Sequence, residues 1–263
     1  MACVRAPSIV AVNMNFTSNS WKLLLCLFCA CVLIVPMSEV SAHGNGETDH
    51  DRKRILVFSA TGWYRHPEIP AVNGWLVGLG QQNGIQVDVS ESAKDISSKR
   101  LELYDVLVLN NCNELDQVLD VEQRKAIEDW FKNGGGIVAL HAALVRQKNW
   151  PWFHELAGCD FDSDSEFVEA RLVVDPAAKD HPAVMGQGES FLYTADWTNH
   201  DKTVTGLAGV QMLLRVDESS YEPVREYFQK RGGKPMGLDH PVAWLRDWQG
   251  GRFFYTDFGH DVR

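Results

Sequence analysis

With 263 residues, 45% of them hydrophobic, the chain has material for one large α/β domain or two small ones with a sizeable core. Its formal charge of -10 argues against a nucleic-acid partner, because phosphate binding relies on clustered Lys and Arg, and the basic run Arg52-Lys53-Arg54 reads as a solvated lead-in to the first strand. Of six cysteines, Cys3, Cys26, Cys29 and Cys31 fall in an N-terminal leader, which leaves Cys112 and Cys159 either to pair or to stand as two separate buried thiols.

The leader is expected over residues 1–42. Arg5 and Lys22 supply positive charge, Leu23 to Met37 is an uncharged apolar run, and Val40-Ser41-Ala42 offers small residues for cleavage. The run is shorter than the roughly 20 residues that span a bilayer, so a signal peptide is favoured over an anchor, with Met1 or Met14 as the start. The mature chain is then secreted or periplasmic and carries no membrane span. A polar, acidic linker covers 43–53, and one domain covers 54–263.

The domain opens with Ile55-Leu56-Val57-Phe58-Ser59, an apolar run of the kind buried on both faces of a parallel sheet, followed by a loop over 60–70. A helix is expected from Ala71 to Asn83 with Gly84 as its C-cap, then a strand over 85–89 and another from Tyr104 to Asn110. Val121 to Asn133 forms the next helix, with Ile127, Trp130 and Phe131 on one face. The triplet Gly134-Gly135-Gly136 stops it and feeds Ile137-Val138-Ala139-Leu140, which delivers His141 where the apolar pattern ends. This alternation means a three-layer, doubly wound, mostly parallel sheet. Beyond it, Leu144 to Asp164 reads as loop and short helix. Strands follow over 169–174, 211–216, 242–245 and 252–256, several of them antiparallel.

In open α/β sheets, ligands bind at the carboxyl ends of the parallel strands, so His141 is the first candidate site residue; its alternative is a histidine bonded to a neighbouring loop carbonyl. Four more histidines lie at predicted strand ends or in loops: His66, His181, His240 and His260. Imidazole suits both proton transfer near neutral pH and metal ligation, but this spacing is too wide for a local zinc motif, so a divalent metal requires the fold to bring the rings together. The glycine triplet is neither a dinucleotide fingerprint nor a phosphate loop. A nucleophile elbow would need Ser or Cys where His141 stands, and Cys112 reads as a structural thiol. Trp63, Trp150, Trp152 and Trp197 surround the expected crevice, as sugar-stacking faces or as packing beneath loops.

Several segments taken in order resemble the ThuA-like (trehalose utilisation) family, a branch of the class I glutamine amidotransferase-like, flavodoxin-like folds. These are Tyr64-Arg65-His66, Leu103-Tyr104-Asp105-Val106-Leu107-Val108, the run from Gly134 to Ala143, Asp180-His181-Pro182, Pro241-Val242-Ala243-Trp244, and the run from Gly251 to His260. The resemblance implies that His141 occupies the elbow that carries cysteine in true amidotransferases, so glutaminase activity is not expected. It also implies a role in trehalose or keto-sugar metabolism, with a small saccharide as partner. The catalytic candidates are His66, His141, Asp196 and His260, acting in acid/base work or metal binding, and the substrate-binding candidates are Trp63, Arg65, His181 and Trp197. Two features depart from the family. Ala195-Asp196-Trp197-Thr198-Asn199 keeps the acid of an Asp-Glu-x-Tyr motif and lacks its Glu and Tyr, and relatives continue past His260 through a closing helix. The first departure keeps open a second expectation, a non-catalytic sugar-binding or interaction module on the same fold.

Overall fold

The computed structural model describes residues 53–260, so the expected leader, nearly all of the linker and the last three residues lie outside the described residues. The first half of the domain alternates strand and helix: β1 (Arg54–Phe58), α1 (Ile69–Gln82), β2 (Gln86–Ser90), α2 (Ser98–Leu101), β3 (Val106–Asn110), α3 (Val121–Lys132) and β4 (Gly136–Leu140). These strands form because their apolar residues feed both faces of the sheet. In β1, Ile55 and Val57 pack with Val72, Leu76 and Leu79 of α1, whereas Leu56 and Phe58 pack with Leu101, Ile127 and Phe131 of α2 and α3. The result is three layers with a core on each side of the sheet. A capping box fixes the start of α3: Asp120 Oδ1 accepts from Gln123 N–H at 2.8 Å, and Gln123 Oε1 accepts from Asp120 N–H at 2.9 Å.

The second half adds α4 (Pro151–Ala157), β5 (Phe161–Asp164), β6 (Val168–Val174), β7 (Ser190–Ala195), β8 (Thr198–His200), β9 (Val210–Asp217), α5 (Glu226–Gln229), β10 (Pro241–Trp248) and β11 (Gly251–Thr256). The main sheet runs β2-β1-β3-β4-β11-β10-β9-β6-β7, and β5 pairs with β8 separately. From β2 to β11 the pairs are parallel, and from β11 to β7 they are antiparallel. The last strand in sequence, β11, therefore lies inside the sheet, parallel to β4 and antiparallel to β10. This order opens the carboxyl ends of β1, β3, β4, β11 and β7 on one edge. The β6–β7 connection opens on the opposite edge. β1 lies one strand in from the β2 edge rather than at the middle. Cys112 and Cys159 are buried free thiols and do not pair.

Candidate functional site

Four strand ends supply the site. His66 follows β1, His141 follows β4, Asp196 follows β7 and His260 follows β11. The three imidazoles meet edge to face, with ring centroids 4.9 Å apart for His66 and His141, 5.3 Å for His66 and His260, and 5.0 Å for His141 and His260. Asp196 Oδ2 lies 3.0 Å from His260 Nδ1 and 3.7 Å from His141 Nε2. One potential ligand atom from each histidine falls within 4.8 Å of the other two, so among the described residues this is a group that could hold a metal ion.

Backbone conformation aims His141. It stands at the β4 end with φ 49°, a left-handed conformation that histidine tolerates better than β-branched residues do, and begins a single 3₁₀ turn over His141–Leu144. Behind it, Nδ1 donates to the Asp257 carbonyl at 3.1 Å, with Asp257 Oδ1 at 3.8 Å. Asp257 is fully buried and accepts from Thr198 N–H at 2.7 Å and from the Tyr255 hydroxyl at 3.0 Å. His141 is therefore clamped on its Nδ1 side, and its Nε2 is 3.2 Å from His260 Nδ1.

The His66 loop is tied to the β3 end. Gly62 N–H donates to the Asn113 carbonyl at 2.9 Å, Trp63 N–H donates to Asn113 Oδ1 at 3.0 Å, and Asn113 Nδ2 donates to the Tyr64 carbonyl at 2.6 Å. The approach is so close that a Cβ on Gly62 would lie 2.3 Å from the Glu114 carbonyl oxygen. At the other end, Asn111 Nδ2 donates to the Gly259 carbonyl at 3.1 Å, which fixes the turn before His260. Gly259 holds φ 136°, a region essentially restricted to glycine.

Burial and charge set different states on these groups. Burial, reinforced by the neighbouring His141 and His260, pushes His66 down to about 3, so its ring is neutral at ordinary pH. Burial also works against a charged His141, but Asp196 and Asp257 overcome it and raise the group to about 9. Asp196 is held down at about 2, because His141 and His260 outweigh its burial. The cluster thus combines an ionised carboxylate, a cationic imidazole and a neutral one.

The remaining candidates divide. Trp63 and Tyr64 are exposed beside His66, and the Tyr64 ring meets His66 edge-on at 4.8 Å. Arg146 lies over the Trp63 ring at 5.0 Å. Arg65 is on the same loop, but its guanidinium pairs with Glu91 at 2.7 Å. His181 does not join the cluster: it lies in the β6–β7 connection on the opposite edge of the sheet, and its Nδ1 accepts from Ala183 N–H at 3.2 Å. Trp197 is not a stacking face either. It is fully buried, packs against Tyr193 and Phe258, and donates its indole N–H to the Val168 carbonyl at 3.3 Å. His240 is buried and bonded through both ring nitrogens, to Glu218 Oε1 and the Thr198 carbonyl, each at 2.8 Å. Cys112 donates to the Phe58 carbonyl at 3.0 Å, and burial pushes its thiol well up.

Sequence reasoning missed Asn111, Asn113, Asp257 and Phe167. Asp257 lies three residues before His260, and a buried carboxylate at a strand end is the signal that could have drawn attention to it. Phe167 is exposed just before β6, with its ring 5.9 Å from that of His260.

A family model described as ThuA, trehalose utilisation, matches residues 54–263. Among solved structures, the chain is similar to a ThuA-like protein of Bacteroides uniformis at 21% identity and TM-score 0.68, over 84% of this chain and 87% of that one. It is also similar to a ThuA-like protein of Parabacteroides merdae at 18% identity and TM-score 0.57, over 80% of each chain. At these identities the likeness is one of fold. No curated protein matches the chain.

Proposed function

The chain belongs to the ThuA (trehalose utilisation) family, and from that premise we propose that His66, His141, His260 and Asp196 form the reactive centre of a site for a small saccharide. One observation carries the reading. Residues from opposite ends of the domain converge at the carboxyl ends of parallel strands, where α/β sheets bind ligands.

Two further features support it. Trp63, Tyr64 and Phe167 offer exposed aromatic faces around the cluster, suited to the apolar faces of sugar rings. The ionised Asp196 and the adjoining imidazoles can accept and return protons at sugar hydroxyls. A glutaminase reading has no nucleophile at this position, since the elbow residue is His141 and the Cys112 thiol is buried. We place the mature protein outside the cytoplasm, on the strength of the leader sequence.

Isothermal calorimetry with trehalose, its 3-keto derivative and a panel of disaccharides tests the proposal, followed by product analysis. Saturable binding that Trp63→Ala weakens, with turnover that Asp196→Asn abolishes, is the expected result. The absence of binding to any saccharide at millimolar concentration would refute it. Binding without turnover favours a sugar-binding module instead, the reading motivated by Trp197 and Asn199 standing where the family motif has Glu and Tyr.

A further inference from the structure

We propose that His66, His141 and His260 bind one divalent transition-metal ion of the zinc class, with Asp196 as the base beside its open coordination position. The proposal rests on the saccharide reading only for what would approach the ion; the ion site stands on its own geometry.

The distances suit an ion. His141 Nε2 and His260 Nδ1 are 3.2 Å apart, and two nitrogens each about 2.0–2.1 Å from a tetrahedral zinc are separated by about 3.3 Å. The corresponding atom of His66 completes a group spanning no more than 4.8 Å. Three imidazoles select zinc, cobalt, nickel or copper over magnesium and calcium, which prefer oxygen ligands.

His141 is prepared as a ligand. A carbonyl can only accept, so Nδ1 must carry the proton it donates to Asp257 O, and a metal ion displaces the second proton from Nε2, whose lone pair then faces the ion. With the Asp257 carboxylate also close and itself bonded to Thr198 and Tyr255, this is the outer support that orients metal-binding histidines.

Two atoms of the cluster need a partner. His66 Nδ1 and Asp196 Oδ1 are buried and make no hydrogen bond, and buried polar atoms in native proteins are nearly always satisfied. Charge points the same way. Asp196 and Asp257 bring two carboxylates into a largely buried site, and one divalent ion, taking the place of the second proton on His141, balances both. Three protein ligands leave a fourth position for a water or sugar oxygen, the pattern of catalytic rather than structural zinc sites.

Purified protein, stripped with a chelator and titrated with Co²⁺, gives the test by visible absorption, with metal analysis of the Zn²⁺-loaded form. One ion per chain and the intense bands of a four-coordinate, nitrogen-rich site are expected. Asp257→Asn should weaken Co²⁺ binding by about 10–100-fold, the cost of losing an outer partner, and His66→Gln and His260→Gln should weaken it further. His260 is at the partly exposed edge of the cluster, so H260Q keeps the test readable if a deeper variant does not fold. A protein that takes up no ion, or a folded H260Q that binds as tightly as the parent, overturns the proposal. Saccharide calorimetry on the loaded and stripped protein separates the two readings: metal uptake without saccharide binding defeats the saccharide reading alone, and saccharide binding without metal uptake defeats the metal site alone.

Discussion

Asn113 grips the His66 loop with both ends of its side-chain amide, accepting from Trp63 N–H and donating to the Tyr64 carbonyl. Removing that amide costs two part-buried hydrogen bonds, each worth about 0.5–1.5 kcal/mol, or about 1–3 kcal/mol together. Asn113→Ala should therefore lower the unfolding free energy from urea titration by an amount in that range and speed proteolysis within 60–66; an unchanged unfolding free energy would show that the loop is held by other contacts. Gly62→Ala should act on the same loop, since its Cβ has no room against Glu114. None of this was legible beforehand, because an asparagine just after a strand reads as turn chemistry whatever it bonds. His141 was legible for the opposite reason: a polar residue ending a continuous apolar run in a parallel strand has few places to point.

The elements explain why two expected site residues lie elsewhere. Whether a loop opens on the site depends on strand direction. β6 runs antiparallel to β9, which sends the His181 loop to the far edge. Periodicity marks a strand but not its direction. Of the strands missed, β5 and β8 are short and largely polar, and β7 has only the run Phe191-Leu192-Tyr193, shorter than the apolar runs of β1, β3 and β4. Trp197, in the tight turn between β7 and β8, packs into the core, so Trp197→Ala should cost about 3–5 kcal/mol as a large-to-small core change. Trp63→Ala, at an exposed loop position, should shift stability by no more than about 0.5 kcal/mol while weakening saccharide binding. Comparable unfolding energies for the two variants would contradict this division between core and rim.

The segment leading into β10 also has an acid-sensitive brace. Burial works against ionisation of Asp239, yet bonds from Arg215, Thr203 and Thr205 hold it below the ordinary carboxylate range. Burial likewise opposes ionisation of Glu218, which His240 and the N–H groups of Met236 and Gly237 hold low. Carboxyls depressed in the fold contribute stability above their unfolded value of about 4, and lose it as pH falls through the lowered folded value. Stability should thus decline below about pH 4. Asp239→Asn should make the decline shallower in denaturant titrations at stepped pH, and identical slopes in parent and variant would exclude Asp239 as a contributor.

At the scale of the whole molecule, the proposed leader predicts export: N-terminal sequencing of the protein recovered from its host should begin near His43, and an intact Met1 or Met14 chain recovered from the cytoplasm would contradict it. The three-layer architecture was legible from the strand and helix rhythm of the first half. The position of β11 was not, since a strand's place in a sheet follows from long-range pairing that local sequence does not encode. That position has a consequence for biosynthesis. A chain emerging from its N-terminus completes β4 more than a hundred residues before the partner that covers that strand's open edge. Until residues 251–256 arrive, the half-built sheet presents unpaired backbone groups to its surroundings, a template for pairing with other chains. Pairing so distant in sequence also makes folding slow. Since His260 follows the same late strand, the cluster it forms with His66 and His141 cannot assemble until the sheet has closed.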